Sequence, residues 1–290
     1  MSSDAHHGDR RRVLIALVLT ATFTVVEIVA GLVTGSLALL ADAGHMLTDT
    51  LALMLAAVAF RIGEKPADRL RSYGYQRFQI LAAFANAVAL ILIVAWICVE
   101  AVLRFLSPTA IAAEGMLLVA VAGLVVNLVC FGVLHSGGHD NLNVQGAALH
   151  VLGDLLGSAA AITAALVIIF TGWLPIDALL SVFVALLVLR SAWALLQRSS
   201  HILLEGTPDW LDVDAMCAAL QTRIPAIASV HHVHVWGLTQ ENVMLTMHVV
   251  LRDDCDDPGD VVRQSKVLLA ADYGIKHSTI EVEAGRCADR

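Results

Sequence analysis

The sequence predicts an α-helical membrane protein: six transmembrane helices followed by a small α+β cytosolic domain. Three observations predict it. Of the 290 residues, 58% are hydrophobic and only 15% charged, with a mean hydropathy of +0.76, where a soluble domain carries roughly 25% charged residues. Six apolar runs are each long enough to cross a bilayer core of ~30 Å in helix. Beyond about residue 200 the period changes to amphipathic helical stretches and short alternating runs.

The elements follow in order. Residues 1–12 (MSSDAHHGDRRR) are too polar for a signal peptide, so they read as a short disordered cytosolic tail ahead of a retained membrane anchor. The membrane domain spans 13–198, with apolar runs at about 13–34, 37–60, 78–103, 113–134, 143–170 and 174–196. Arg10 to Arg12, Arg61, Lys65, Arg69, Arg71, Arg77 and Arg198 fall on one side of these runs and Arg104 alone on the other. Both termini are therefore expected in the cytosol. Within 199–290, a helix near 210–223, strands at 229–236 and 243–251, a helix near 258–272 and a strand near 278–283 give an αββαβ, ferredoxin-like order. Pro208, Pro225 and Pro258-Gly259 punctuate it.

Charge and cysteine content exclude other classes. Of the formal charge of −8, −7 belongs to the cytosolic part, where 7 Lys+Arg face 14 Asp+Glu from residue 201 onward. An acidic chain without basic clusters is repelled by phosphate backbones, which excludes nucleic-acid binding. Five cysteines without a C-x-x-C pair make neither a disulfide framework nor a zinc finger.

The chemistry lies inside the membrane runs. A charged side chain at the centre of a membrane helix costs ~3 kcal/mol on insertion scales. Glu27, Asp42, Asp49 and Asp154 nevertheless sit in the first, second and fifth runs, with no Lys or Arg in those runs to pair with them. His45/Asp49 and His150/Asp154 repeat the pattern A-x-H-x-L-x-D. Each pair is spaced i, i+4 and stacks on one helix face, which Asp42 shares. At 1.5 Å per residue, His45 lies ~12 Å below the outer surface and Asp49 ~12 Å from the inner one, with His150 ~11 Å and Asp154 ~17 Å from the inner surface. Antiparallel helices thus bring two imidazoles and two carboxylates to one level. Such an N₂O₂ set suits Zn²⁺ and related borderline cations, whereas Mg²⁺ or Ca²⁺ prefers oxygen throughout. Polar packing between membrane helices explains one such pair. It does not explain two matched pairs with uncompensated negative charge.

The run 31–49 (GLVTGSLALLADAGHMLTD), Tyr73-Gly74-Tyr75-Gln76-Arg77 and His150-x-x-x-Asp154 resemble the cation diffusion facilitator family, zinc-transporting type. The likeness covers nearly the whole chain. It implies a homodimeric antiporter that exports a cytosolic divalent metal in exchange for protons, not an enzyme, in the cell (inner) membrane. Carried over residue by residue, His45, Asp49, His150 and Asp154 match the transport site, with Asp42 and Glu27 as acidic neighbours. Gln79 stands where members often carry Glu, and the loop at 135–142 (HSGGHDNL) is shorter and less His-rich than in many eukaryotic members.

The cytosolic domain offers a second set. His277, Thr279, Glu281 and Glu283 share one face of the third strand, and Met244, Thr246 and His248 one face of the second, which predicts a polar, solvated, metal-capable face. His231 and His248 resemble family positions that bind metal there, with Glu281 and Glu283 where some members have His and Asp. Zn²⁺ is thus expected both as transported ion and as ligand of this domain, H⁺ as counter-ion and lipid as surroundings. His135, His139 and Asp140 in the loop and His6 and His7 in the tail read as bystanders, and His232, His234 and Cys287 carry no assignment. Two alternatives keep the architecture: a Mn²⁺/Fe²⁺ transporter, in which Asp is expected at the histidine positions, and a membrane metal sensor. An intramembrane metallohydrolase is excluded, because no H-E-x-x-H occurs and four protein ligands leave no open position. The i, i+4 spacing of Glu100 and Arg104 predicts a structural ion pair.

Overall fold

A computed structural model describes residues 3–44, 46–47, 58, 62, 65–135, 142–253, 255 and 257–283. They form helices α1 (Ser3–Thr34), α2 (described over 37–44 and 46–47), α3 (Arg77–Leu106), α4 (Ala113–His135), α5 (Leu142–Thr171) and α6 (Pro175–Leu203). These are followed by α7 (Val213–Arg223), β1 (Ile227–Gly237), β2 (Val243–Leu251), α8 (Pro258–Tyr273) and β3 (His277–Glu283). Side chains are described from Val18 in α1, to Cys130 in α4 and from Asp154 in α5. The chain divides into two units, Met1–Leu55 with Ala85–Leu196 and Ala56–Phe84 with Gln197–Arg290.

In the first unit, α3, α4, α5 and α6 each hold an apolar stretch of at least 18 residues, long enough to cross a membrane. On α3, Leu92, Trp96, Val99, Val102 and Leu106 are all exposed. Water does not tolerate so continuous an apolar face, and lipid does. α1 begins at Ser3 rather than near residue 13, which corrects the disordered tail expected there.

α2 is wedged between its neighbours because small residues line it. Leu37 and Ala41 pack against Leu90, Val94 and Ile97 of α3 and Ala178, Ala185 and Val188 of α6. Ala38 and Leu39 pack against Met116 and Ala120 of α4 and Ala161, Ala164 and Ala165 of α5. The face of α2 that carries Asp42 therefore lies inside the bundle, and Asp42 is buried.

In the second unit, Met216, Leu220, Leu245, Met247, Val249, Leu268 and Leu269 build the core. Its helices start where side-chain caps satisfy orphan N–H groups. Asp212 accepts from the Ala215 N–H at 3.0 Å, and Asp257, ahead of Pro258, from the Asp260 N–H at 3.1 Å. Gly274, at φ 65°, ends α8 in the left-handed conformation that glycine adopts freely. The sheet order is β1-β2-β3, with β1 and β2 antiparallel and β2 and β3 parallel. The helix and strand order is the αββαβ expected.

One expectation fails in part. β2 is the central strand, and Met244, Leu245, Met247, His248 and Val249 are all buried. Along the polar face, His277, Thr279 and Glu281 are exposed as expected, whereas Met244, His248 and Glu283 are buried, with Glu283 and His232 closing over His248.

The segment before α3 packs onto this domain within the same unit. The Asn242 amide donates to Gln76 Oε1 at 2.6 Å, and Arg77 pairs with Glu205 at 3.0 Å. The segment is itself braced: Asp68 accepts from the Leu70 and Arg71 N–H groups and from the Tyr75 hydroxyl, and Lys65 and Arg71 lie over the Tyr75 ring.

Candidate metal centres

The cytosolic cluster is built by strand register. His231 on β1 stands directly opposite His248 on β2, and His248 opposite Glu281 on β3. Glu283, two residues along the same face of β3, reaches back across the sheet. One of its oxygens lies 2.8 Å from His248 Nδ1 and the other 3.0 Å from His231 Nε2. Glu281 Oε2 lies 3.6 Å from His248 Nε2. His248 and Glu283 are 7% and 6% exposed, so one carboxylate buried in the sheet organises two imidazoles.

Ligand atoms of His231, His248 and Glu283 lie within 4.8 Å of one another. A zinc ion with bonds of ~2.0–2.2 Å draws tetrahedral ligand atoms to ~3.3 Å apart. Small side-chain adjustments achieve that, so the residues fit a borderline cation, with the half-exposed Glu281 carboxylate in reach as a fourth ligand. A β-bulge shapes the spot. The register shifts between His231 and His234, and His232 takes a left-handed φ of 52°, which costs a non-glycine residue roughly 1 kcal/mol. The bulge stacks the His232 ring on His248, with centroids 4.7 Å apart and planes at 11°, and sets it edge-on to His234. These two histidines, without an assigned role on sequence grounds, thus frame the cluster. The sequence signal was present in the H-H-x-H run but carried no hint of a bulge.

In the membrane unit, Glu27 of α1, Asp42 of α2 and Asp154 of α5 are buried, at 0%, 1% and 0% exposure. Their charges repel one another across the bundle. Among the described residues, neither oxygen of Glu27 nor Asp42 Oδ2 has a hydrogen-bond partner. Like charges buried together persist only when protons or a cation neutralise them. Asn127 and Ser158, also buried, add a polar pair 3.4 Å apart between α4 and α5.

Of the four residues expected to form the transport site, Asp154 is placed as just described. His150 lies on α5, with its side chain outside the described residues, and His45 and Asp49 lie outside them altogether. So do the side chains of His6 and His7 and the loop residues His139 and Asp140. A residue the sequence analysis passed over also matters. Gly157 continues the His150/Asp154 face of α5, and a Cβ there would collide with the Asp42 carboxylate. The glycine is what lets α2 and α5 bring their carboxylates together.

Comparison with known proteins settles the class. Residues 13–204 match the cation efflux transmembrane domain, and residues 208–285 the cation efflux protein cytoplasmic domain. The chain belongs to the cation efflux, or cation diffusion facilitator, family. Zinc transporter ZitB of Pectobacterium atrosepticum is 49% identical over 288 residues, 99% of this chain and 89% of that one. The metal cation efflux system protein CzcD of Cupriavidus metallidurans is 44% identical, over 99% and 90%. The cadmium, cobalt and zinc/H(+)-K(+) antiporter of Bacillus subtilis is 41% identical, over 98% and 92%. As a cation efflux protein, the chain is an integral membrane transporter and not an enzyme.

Proposed function

We propose that the chain exports Zn²⁺, with Cd²⁺ and Co²⁺ as related cargoes, from the cytosol in exchange for protons. The observation that carries this reading is the buried carboxylate cluster of Glu27, Asp42 and Asp154, which needs a cation or protons inside the membrane domain. His45, Asp49, His150 and Asp154 form the transport site. Their imidazoles favour zinc over the harder manganese ion, which argues against the Mn²⁺/Fe²⁺ alternative. Imidazole binds metal only when deprotonated, and histidine titrates near pH ~6.5. Metal and protons therefore compete for the same nitrogens, and a site opened alternately to the two sides turns competition into exchange. The names of the relatives, zinc transporter and cadmium, cobalt and zinc antiporter, support the same cargo and coupling.

The remaining assignments belong to this reading. Residues 1–12 precede the membrane domain, α1 and α2 complete six spans over 13–198, and 199–290 form a ferredoxin-like cytosolic domain. Both termini face the cytosol across the inner membrane, and the chain is a homodimer, in keeping with the matched cytoplasmic domain and the bacterial relatives. His231, His248 and Glu283, with Glu281, hold a zinc ion of their own. The reading is tested by zinc uptake into liposomes that contain only this protein, with Mn²⁺ as competitor. Transport is expected, with zinc preferred. Zinc binding without flux would leave a sensor, and preferred Mn²⁺ flux would leave the manganese carrier.

A further inference from the structure

Asp177 opens α6 and is 1% exposed. Its carboxylate serves another helix. It accepts from the Ser36 hydroxyl at 2.8 Å and from the backbone N–H groups of Leu37 at 2.7 Å and Ala38 at 3.2 Å. Ser36 Oγ in turn accepts from the Leu39 N–H at 3.2 Å. The first N–H groups of a helix have no partner within it and carry the positive end of its dipole. Asp177 is therefore an N-cap for α2 supplied from a helix 140 residues away.

The turn ahead of α2 is held from two further sides. Arg104 of α3 donates to the Gly35 carbonyl while pairing with Glu100 at 2.9 Å, and the Ala112 N–H donates to the Thr34 carbonyl at 2.9 Å. Gly35 takes φ 72° there, a left-handed conformation natural to glycine.

We propose that Asp177 is a positioning residue for cation transport: by capping α2 from α6, it sets the depth and rotation of α2 in the bundle. It thereby places Asp42 and the transport ligands proposed further along that run. The proposal rests on the transport reading given above. Ligand geometry is sensitive to displacements of about 1 Å. The effect therefore falls on affinity and selectivity and not only on the amount of folded protein.

The test is the concentration dependence of zinc and cadmium transport by the full-length protein in liposomes. Asp177→Asn keeps one oxygen as acceptor for Ser36 and Ala38 but turns an amide NH₂ toward the Leu37 N–H. It is expected to raise KM for zinc about tenfold and to lower the zinc/cadmium preference, because the larger cadmium ion tolerates longer ligand distances. Zinc binding by the cytosolic domain stays unchanged. Ser36→Ala removes one donor and shifts both quantities the same way, less far. If Asp177→Asn does not fold, Ser36→Ala decides. Wild-type KM and ion preference in the deciding variant overturns the proposal, as does a loss of maximal rate alone that tracks the amount of folded protein. Asp49→Ala, measured alongside, separates the two ideas. Transport retained in that variant sinks the transport-site reading, whereas transport lost there with Asp177→Asn at wild-type values sinks only this proposal.

Discussion

Glu283 shows what a single side chain does in this protein. One carboxylate, buried at the end of β3, holds His231 with one oxygen and His248 with the other. Its alignment with His248 follows from strand alternation and is legible in the sequence. Its burial is not, because that depends on β2 being central and on the His232 bulge. In the membrane, charge in an apolar run was a sufficient signal for Glu27, Asp42 and Asp154. The sequence analysis passed over Asp177 in the sixth run, whose role stays hidden until α2 and α6 are seen together. Two outcomes belong at this scale. Asp49→Ala or Asp154→Ala should reduce zinc transport by at least about a hundredfold, since each removes a proposed ligand, read as initial flux into liposomes. His45→Asp should shift preference from Zn²⁺ toward Mn²⁺ in competition assays, because oxygen replaces a borderline nitrogen ligand. An unchanged ratio in a folded variant removes His45 from the site.

Among the elements, legibility follows how local the deciding physics is. β2 runs over Val243–Leu251, as its alternation predicts, and α8 begins at Pro258 because Asp257 and the proline signal a helix start. α1 extends beyond its apolar run because the membrane pattern marks only where lipid begins, not where hydrogen bonding does. The packing of α2 against α5 depends on Gly157, whose spacing from Asp154 marks a shared face but not its neighbour. Gly157→Ala should push Asp42 away and lower zinc transport about tenfold or more, with the elution volume on size-exclusion chromatography unchanged. The braced segment before α3 makes a pH prediction. The Tyr75 hydroxyl, with the Arg71 and Leu70 N–H groups, holds the Asp68 carboxyl below the usual carboxylate range. Its folded value therefore lies below the unfolded ~3.9. The stabilisation is complete above that pH and is lost as pH falls through the folded value. Tyr75→Phe should move the Asp68 titration upward, read from its carboxyl carbon resonance.

At the scale of the whole molecule, composition alone separates a membrane part from an acidic cytosolic part, and both matched domains follow that division. The cytosolic part carries 7 Lys+Arg against 14 Asp+Glu. In the proposed homodimer two such parts repel, and bound dications offset the repulsion. Zinc should therefore raise the melting temperature of the full-length protein and tighten its dimer, and His231→Ala/His248→Ala should abolish both responses. An equal response from that variant would move the site to other histidines. The central claim is that the two His-x-x-x-Asp pairs exchange metal for protons. The most direct measurement is zinc-driven proton flux in proteoliposomes, wild type beside Asp49→Ala/Asp154→Ala. The account predicts protons moving opposite to zinc in the wild type and neither flux in the variant. Wild-type zinc flux in the variant, or zinc movement without protons in the wild type, would contradict it.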